Sequence, residues 1–190
     1  MNVLRVVCLF LWLTAFSYSN EIKLGCLVTT YNRLNLLKTT LESLKKTEIP
    51  ENVRIYLCIS DDCSSDSEVI KYISEYTWNN ERVVVYKLFA NENRGVAQNI
   101  KRGVKYIKNK EDPEFYVTLD SDMLVNKKWI ESLLNVRKEF EHVERKFPVI
   151  YSAYNSRLHH VFKQEKKIFN QRQSWWLQFI LSQKLFNNFL

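Results

Sequence analysis

The residues best suited to chemistry are carboxylates placed at the ends of apolar runs. Asp120-Ser121-Asp122 directly follows Phe115-Tyr116-Val117-Thr118-Leu119. Two carboxylates two positions apart, where a chain leaves a strand, can both reach one cation. A hard ion, Mn²⁺ or Mg²⁺, accepts one or two carboxylates and keeps positions for phosphate oxygens. There it would offset charge developing on a departing diphosphate. The same triplet also reads as a cap for the next helix. A second acidic cluster, Asp61-Asp62-Cys63-Ser64-Ser65-Asp66, follows the apolar run Val53 to Ser60. An Asp in this turn can accept hydrogen bonds from a base N–H or a ribose hydroxyl. Equally, Ser65 or Asp66 can satisfy the free N–H groups of the helix that follows.

Two further groups accompany the acids. Thr29-Thr30-Tyr31-Asn32-Arg33 offers a hydroxyl at Thr30 and a stacking face at Tyr31, beside the plainer reading of a strand end and helix cap. Asn93-Arg94-Gly95-Val96-Ala97 opens a helix, and the chain contains only 3 glycines, so Gly95 and Gly103 are pointed placements. Gly95 suits a positive φ or a close backbone approach. Arg94 can meet a phosphate, or it can be an ordinary surface arginine.

These groups need a scaffold, and the apolar pattern supplies one. Lys23 to Thr30, Val53 to Ser60, Arg82 to Phe89, Phe115 to Leu119 and Pro148 to Ala153 read as strands. Between them lie four helical stripes: Leu34, Leu37, Leu41 and Leu44; Val69, Ile70, Ile73 and Tyr76; Val96, Ile100, Val104 and Ile107; and Trp129, Ile130, Leu133, Leu134 and Phe140. Asn32 is the expected cap of the first helix. Alternating strands and helices predict a three-layer α/β/α, Rossmann-like fold with a mostly parallel central sheet. Ligands bind such sheets outside the carboxyl ends of the strands. The polar clusters after strands one, two and four all fall there.

Four motifs in order, Val28-Thr29-Thr30-Tyr31-Asn32-Arg33, Ile59-Ser60-Asp61-Asp62-Cys63-Ser64-Ser65-Asp66, Asn93-Arg94-Gly95-Val96-Ala97 and Leu119-Asp120-Ser121-Asp122, resemble the family 2 glycosyltransferases of GT-A fold. The resemblance covers roughly residues 22–155. It implies inverting transfer of a sugar from a nucleotide-diphosphate donor, usually a uridine one, to an acceptor hydroxyl. It also implies that Thr30 and Tyr31 line the nucleoside pocket and that Asp61 or Asp62 contacts the base. Asn32, Arg33, Arg94, Gly95 and Ser121 would join the donor site, Asp120 would contact ribose or sugar, and Asp122, with Asp120, would hold the metal. Where the family often has Ala-Arg-Asn, this chain has Asn99-Ile100-Lys101. Family members carry a later acid as general base. The tail beyond Lys163 holds one acid, Glu165, so no catalytic base is assigned. The acceptor half is expected to be incomplete. A non-catalytic nucleotide- or glycan-binding relic of the fold is the alternative. Metal-dependent phosphatases of the haloacid dehalogenase type also use Asp-x-Asp, but after their first strand. Here the motif follows the fourth, and Leu124 stands where they carry Thr or Val.

Residues 1–19 read as a signal peptide: Arg5, an apolar run from Val6 to Phe16, then Ser17-Tyr18-Ser19. The run is shorter than the roughly 20 residues that span a bilayer, so a signal is preferred to an anchor. This predicts the ER or Golgi lumen, or secretion. Residues 20–155 form the expected donor-binding domain, and 156–190 a basic, aromatic segment with Trp175-Trp176, Phe179, Phe186 and Phe189. Packing on the sheet is its expected role, with membrane-surface contact as a second reading. Tyr154-Asn155 and His159-His160 can border an acceptor. The acceptor itself, a glycan, lipid or protein, is not legible. A net charge of +7 suits diphosphates or anionic surfaces, while no basic and aromatic interleaving points to nucleic acid. Of the 4 cysteines, Cys8 lies in the signal, and Cys26 and Cys58 read as buried thiols.

Overall fold

The computed structural model describes residues 21–144, 150–151 and 178–182, with side chains described as far as 138. The signal peptide, Tyr154-Asn155, His159-His160 and most of the basic aromatic segment lie outside the described residues. The chain alternates β1 (Ile22–Thr30), α1 (Leu34–Lys45), β2 (Val53–Asp61), α2 (Ser67–Glu75), β3 (Val83–Phe89), α3 (Val96–Glu111), β4 (Phe115–Asp120) and α4 (Trp129–Glu144). Two short strands follow, β5 (Ile150–Tyr151) and β6 (Gln178–Ser182). Among the described residues, no helix is long and apolar enough to cross a membrane.

The sheet order is β3-β2-β1-β4-β6-β5. β1, β2, β3 and β4 pair in parallel, while β6 runs antiparallel to both β4 and β5. Because both faces of these strands are covered, they read as nearly continuous apolar runs rather than alternating ones. One face packs Leu24, Cys26, Val28, Ile55, Leu57 and Ile59 against α1, α2 and α4. The other packs Leu27, Tyr56, Cys58 and Tyr116 against Val104 and Ile107 of α3. Cys26 and Cys58 therefore belong to opposite faces, and burial pushes each thiol up to about 12.

The connections from β1 to β2 to β3 step one way across the sheet. The next one, through α3, returns to the far side of β1 and sets β4 beside it. The carboxyl ends of β1 and β4 thus form a topological switch point, where open sheets bind ligands.

Three expectations need correction. The helical stripe of α3 starts in the wrong place: Val96 is 59% exposed, and Asn99, Gly103, Val104 and Ile107 make the buried face. The reason is close approach. A Cβ on Gly103 would lie 2.4 Å from Leu27 Cδ1, so a small residue lets helix and sheet meet. Asn32 does not cap α1. It has φ 53, its side chain turns to the loop before α2, and α1 begins with no side-chain cap at all. Finally, the tail contributes strand β6 to the sheet, which the less regular sequence after residue 155 did not reveal.

Candidate functional site

Threonines on β1 face the acids of β4 across the switch point. Thr29 pairs in register with Asp120, and its hydroxyl donates to Asp120 Oδ1 at 3.3 Å. Burial raises the Asp120 carboxyl above the ordinary carboxylate range. The Thr29 hydrogen bond and Arg33 pull it down, while the Asp122 charge pushes it further up. Asp122 lies outermost, and Arg33 Nη1 donates to its Oδ2 at 2.9 Å. Ser121, between the two acids, is buried, and its carbonyl accepts the Thr40 hydroxyl at 2.8 Å.

This loop is held by α1 and the turn just after it. Thr40 binds Ser121, Ser43 Oγ accepts from the Val125 N–H at 3.2 Å, and Thr47 Oγ1 accepts from the Trp129 indole at 2.9 Å. Thr40 and Ser43 lie one turn apart on α1 beside the leucine stripe, and Thr47 sits just past the C-cap Lys46, so one face of α1 packs while its flank and the turn that follows it fix the acidic loop. Their spacing is the signal that sequence reasoning missed.

The second acidic loop is built differently. Asp61 is fully buried and accepts from the Ser64 N–H at 2.8 Å and from the Ser64 hydroxyl. Asp62, 5% exposed, accepts from the Arg94 N–H at 3.2 Å and the Gly95 N–H at 2.8 Å. Asn32 Oδ1 accepts from Ser65 N–H at 2.8 Å and Asp66 N–H at 3.1 Å, and Asp66 caps α2 through the Glu68 N–H. Gly95 takes φ 84, the left-handed region expected for it, where a side chain would be strained. Arg94, read either as a phosphate contact or as an ordinary surface arginine, pairs with Glu92 at the surface.

Under this loop lies a polar clamp. Asn99, 2% exposed, exchanges hydrogen bonds with Ser60: its Oδ1 accepts the hydroxyl at 2.6 Å and its Nδ2 donates to the carbonyl at 2.9 Å. Arg102 Nη2 donates to Ser60 Oγ at 3.0 Å, Asp61 O at 2.7 Å and Asn99 Oδ1 at 2.8 Å. Asn99 and Arg102 fall one and two turns beyond Gly95, on the sheet side of α3. That polar insertion in an apolar stripe was the available clue.

Thr30 and Tyr31 flank both loops. Thr30 O accepts from the Asp62 N–H at 3.0 Å, and Tyr31 is 44% exposed. The Thr30 hydroxyl is buried with no hydrogen-bond partner among the described residues. Buried polar atoms are seldom left so, and a ligand or ordered water would satisfy it. The structure thus gathers Thr30, Tyr31, Arg33, Asp120 and Asp122 at the carboxyl ends of β1 and β4, with Asp61 and Asp62 beside them at the end of β2. It leaves the Arg94 side chain outside.

The donor set fits a hard divalent cation. Asp120 and Asp122 supply two carboxylates near enough for one to perturb the other, and among the described residues neither is tied to a backbone N–H. Among the described residues there is no third His, Cys, Asp or Glu grouped with them, so phosphate oxygens or water would complete the shell.

A doubly wound sheet with paired carboxylates at its switch point is the Rossmann-like GT-A architecture. The chain belongs to glycosyl transferase family 2, whose sequence profile matches residues 26–182. Among solved structures it is similar to S. aureus TarS 1-349, with 19% identity and a TM-score of 0.56, covering 88% of this chain and 49% of that one. TarS 1-349 in complex with UDP matches at 22% identity and a TM-score of 0.48, covering 68% of this chain and 34% of that one. The mannosyltransferase PcManGT from Pyrobaculum calidifontis, in complex with GDP-Man and Mn²⁺, matches at 16% identity and a TM-score of 0.48, covering 70% and 39%. This chain spans about half the length of TarS 1-349, or less of the others. No curated protein matches the sequence.

Proposed function

We propose that this chain binds a nucleotide-diphosphate sugar, UDP-linked, at the carboxyl ends of β1, β2 and β4 and serves its transfer to an acceptor hydroxyl with inversion. One observation carries the reading: the carboxylates at the switch point are bound by a hydroxyl and a guanidinium rather than by backbone. Family membership supports it. Asp120 and Asp122 would hold Mn²⁺ or Mg²⁺. When bound, such an ion supplies positive charge against the diphosphate leaving group. Tyr31 offers its exposed ring to the base, and the unpartnered Thr30 hydroxyl can meet the nucleoside. Asp62 keeps the Arg94-Gly95 turn in place beside them. In the transfer, the acceptor oxygen loses its proton to a base and bonds to the anomeric carbon as the bond to diphosphate breaks. The residues 1–19 carry the further proposal that the chain enters a secretory lumen.

The test is release of UDP from UDP-sugars in Mn²⁺ with a panel of sugar, lipid and peptide acceptors. Acceptor-dependent release, reduced about 100-fold or more in Asp122→Ala, is expected. Tight UDP binding with no release for any acceptor would point instead to a non-catalytic binding protein.

A further inference from the structure

Arg33 occupies an unusual place for a cation. It stands at the start of α1, the positive end of the helix dipole, where arginine is unfavourable by itself. No acidic residue lies in the first turn to compensate, and no side chain caps the helix. Its counter-charge comes from 89 positions away in sequence: Asp122, at 2.9 Å. Both side chains are about half exposed, at 53% and 45%. Exposed ion pairs hold weakly, by a factor of about two to five in equilibrium terms. The contact is therefore easily exchanged.

We propose that Arg33 is a stand-in counter-ion for Asp122 that an entering divalent cation displaces, and that this exchange couples cation binding to diphosphate binding. The inference rests on the donor-site reading above. Without a cation, Asp120, Asp122 and Arg33 sum to one formal negative charge, which disfavours a diphosphate. With a divalent cation on the two carboxylates, the sum becomes one positive charge. Arg33 is then free, its guanidinium fork suits phosphate oxygens, and it stands at the uncapped start of α1. Cation and diphosphate each strengthen the other's binding by the same factor, as linkage requires.

The experiment measures binding rather than turnover. Mn²⁺ affinity of the full chain is read from the loss of the free-ion paramagnetic resonance signal, with and without UDP. UDP affinity is read by calorimetry with and without Mn²⁺. Arg33→Gln should bind Mn²⁺ alone about two- to fivefold more tightly than wild type. At saturating Mn²⁺ it should bind UDP about tenfold more weakly. Arg33→Lys, which keeps the charge and loses the fork, should fall between. Arg33→Gln with unchanged Mn²⁺ affinity and an unchanged coupling factor would overturn the exchange while leaving the donor site standing. Wild type whose UDP affinity is the same with and without Mn²⁺ would overturn the metal-assisted donor-site reading and the exchange with it.

Discussion

At the end of β2, all four carboxylate oxygens of Asp61 and Asp62 accept hydrogen bonds from the chain's own loops. At the end of β4, Asp120 and Asp122 receive, among the described residues, the Thr29 hydroxyl and the exposed Arg33 guanidinium. The residue type is the same and the environments are opposite. Asp61 and Asp62 are buried against backbone N–H groups, which makes them part of the frame. Asp120 and Asp122 lie close enough for the charge of one to raise the carboxyl of the other, and in the proposed function they take the cation. The two acidic clusters thus differ in how far the chain's own groups take up their oxygens, and that difference underlies the roles proposed for them.

The largest effect that could break this comparison lies on the β2 side. Asp62→Ala would leave the Arg94 and Gly95 N–H groups without their acceptor in a buried loop, costing about 3 kcal/mol. Urea unfolding should show the loss, and a change below about 0.5 kcal/mol would show that Asp62 is not part of the frame. Asn99→Ala should come next, at about 2 kcal/mol, because the Ser60 carbonyl and the Arg102 guanidinium lose a buried partner. The same denaturation series measures it.

On the β4 side the effects on stability are smaller and can change sign. Because the folded Asp120 carboxyl is raised above its ordinary value, its contribution to stability is complete at low pH, with the proton on. It is lost as pH rises through the raised value. Asp120→Asn should therefore match or exceed wild type in thermal midpoint at neutral pH and lose that advantage in acid. A midpoint that falls at neutral pH and recovers in acid would mean that Asp120 is stabilising as a carboxylate. Asp122→Ala should change folding stability least of all, within about 0.5 kcal/mol, since it removes one exposed ion pair.

Much of the fold was legible because it rests on apolar periodicity. The four parallel strands, their order of helices and the polar strand ends followed from the alternation of buried runs with stripes. The frame of the site was harder to read, since it depends on long-range polar contacts. Asn32 looked like a cap for α1, yet it serves α2 across a gap of more than 30 residues. Asn99 and Arg102 were hidden because a buried polar face interrupts an apolar stripe. Thr40 and Ser43 look like ordinary helix positions, and Thr47 like part of the turn after α1, until the β4 loop is laid over them. Strand β6 lay in an aromatic tail whose pairing with β4 no local pattern announces. Carboxylate spacing alone also could not separate the two acidic loops.

The most direct test of that separation is calorimetric titration of UDP with and without Mn²⁺, comparing wild type with Asp122→Ala. The account predicts Mn²⁺-dependent binding in wild type and its loss in Asp122→Ala, with the unfolding midpoint nearly unchanged. UDP binding that needs no metal and survives Asp122→Ala intact would contradict it.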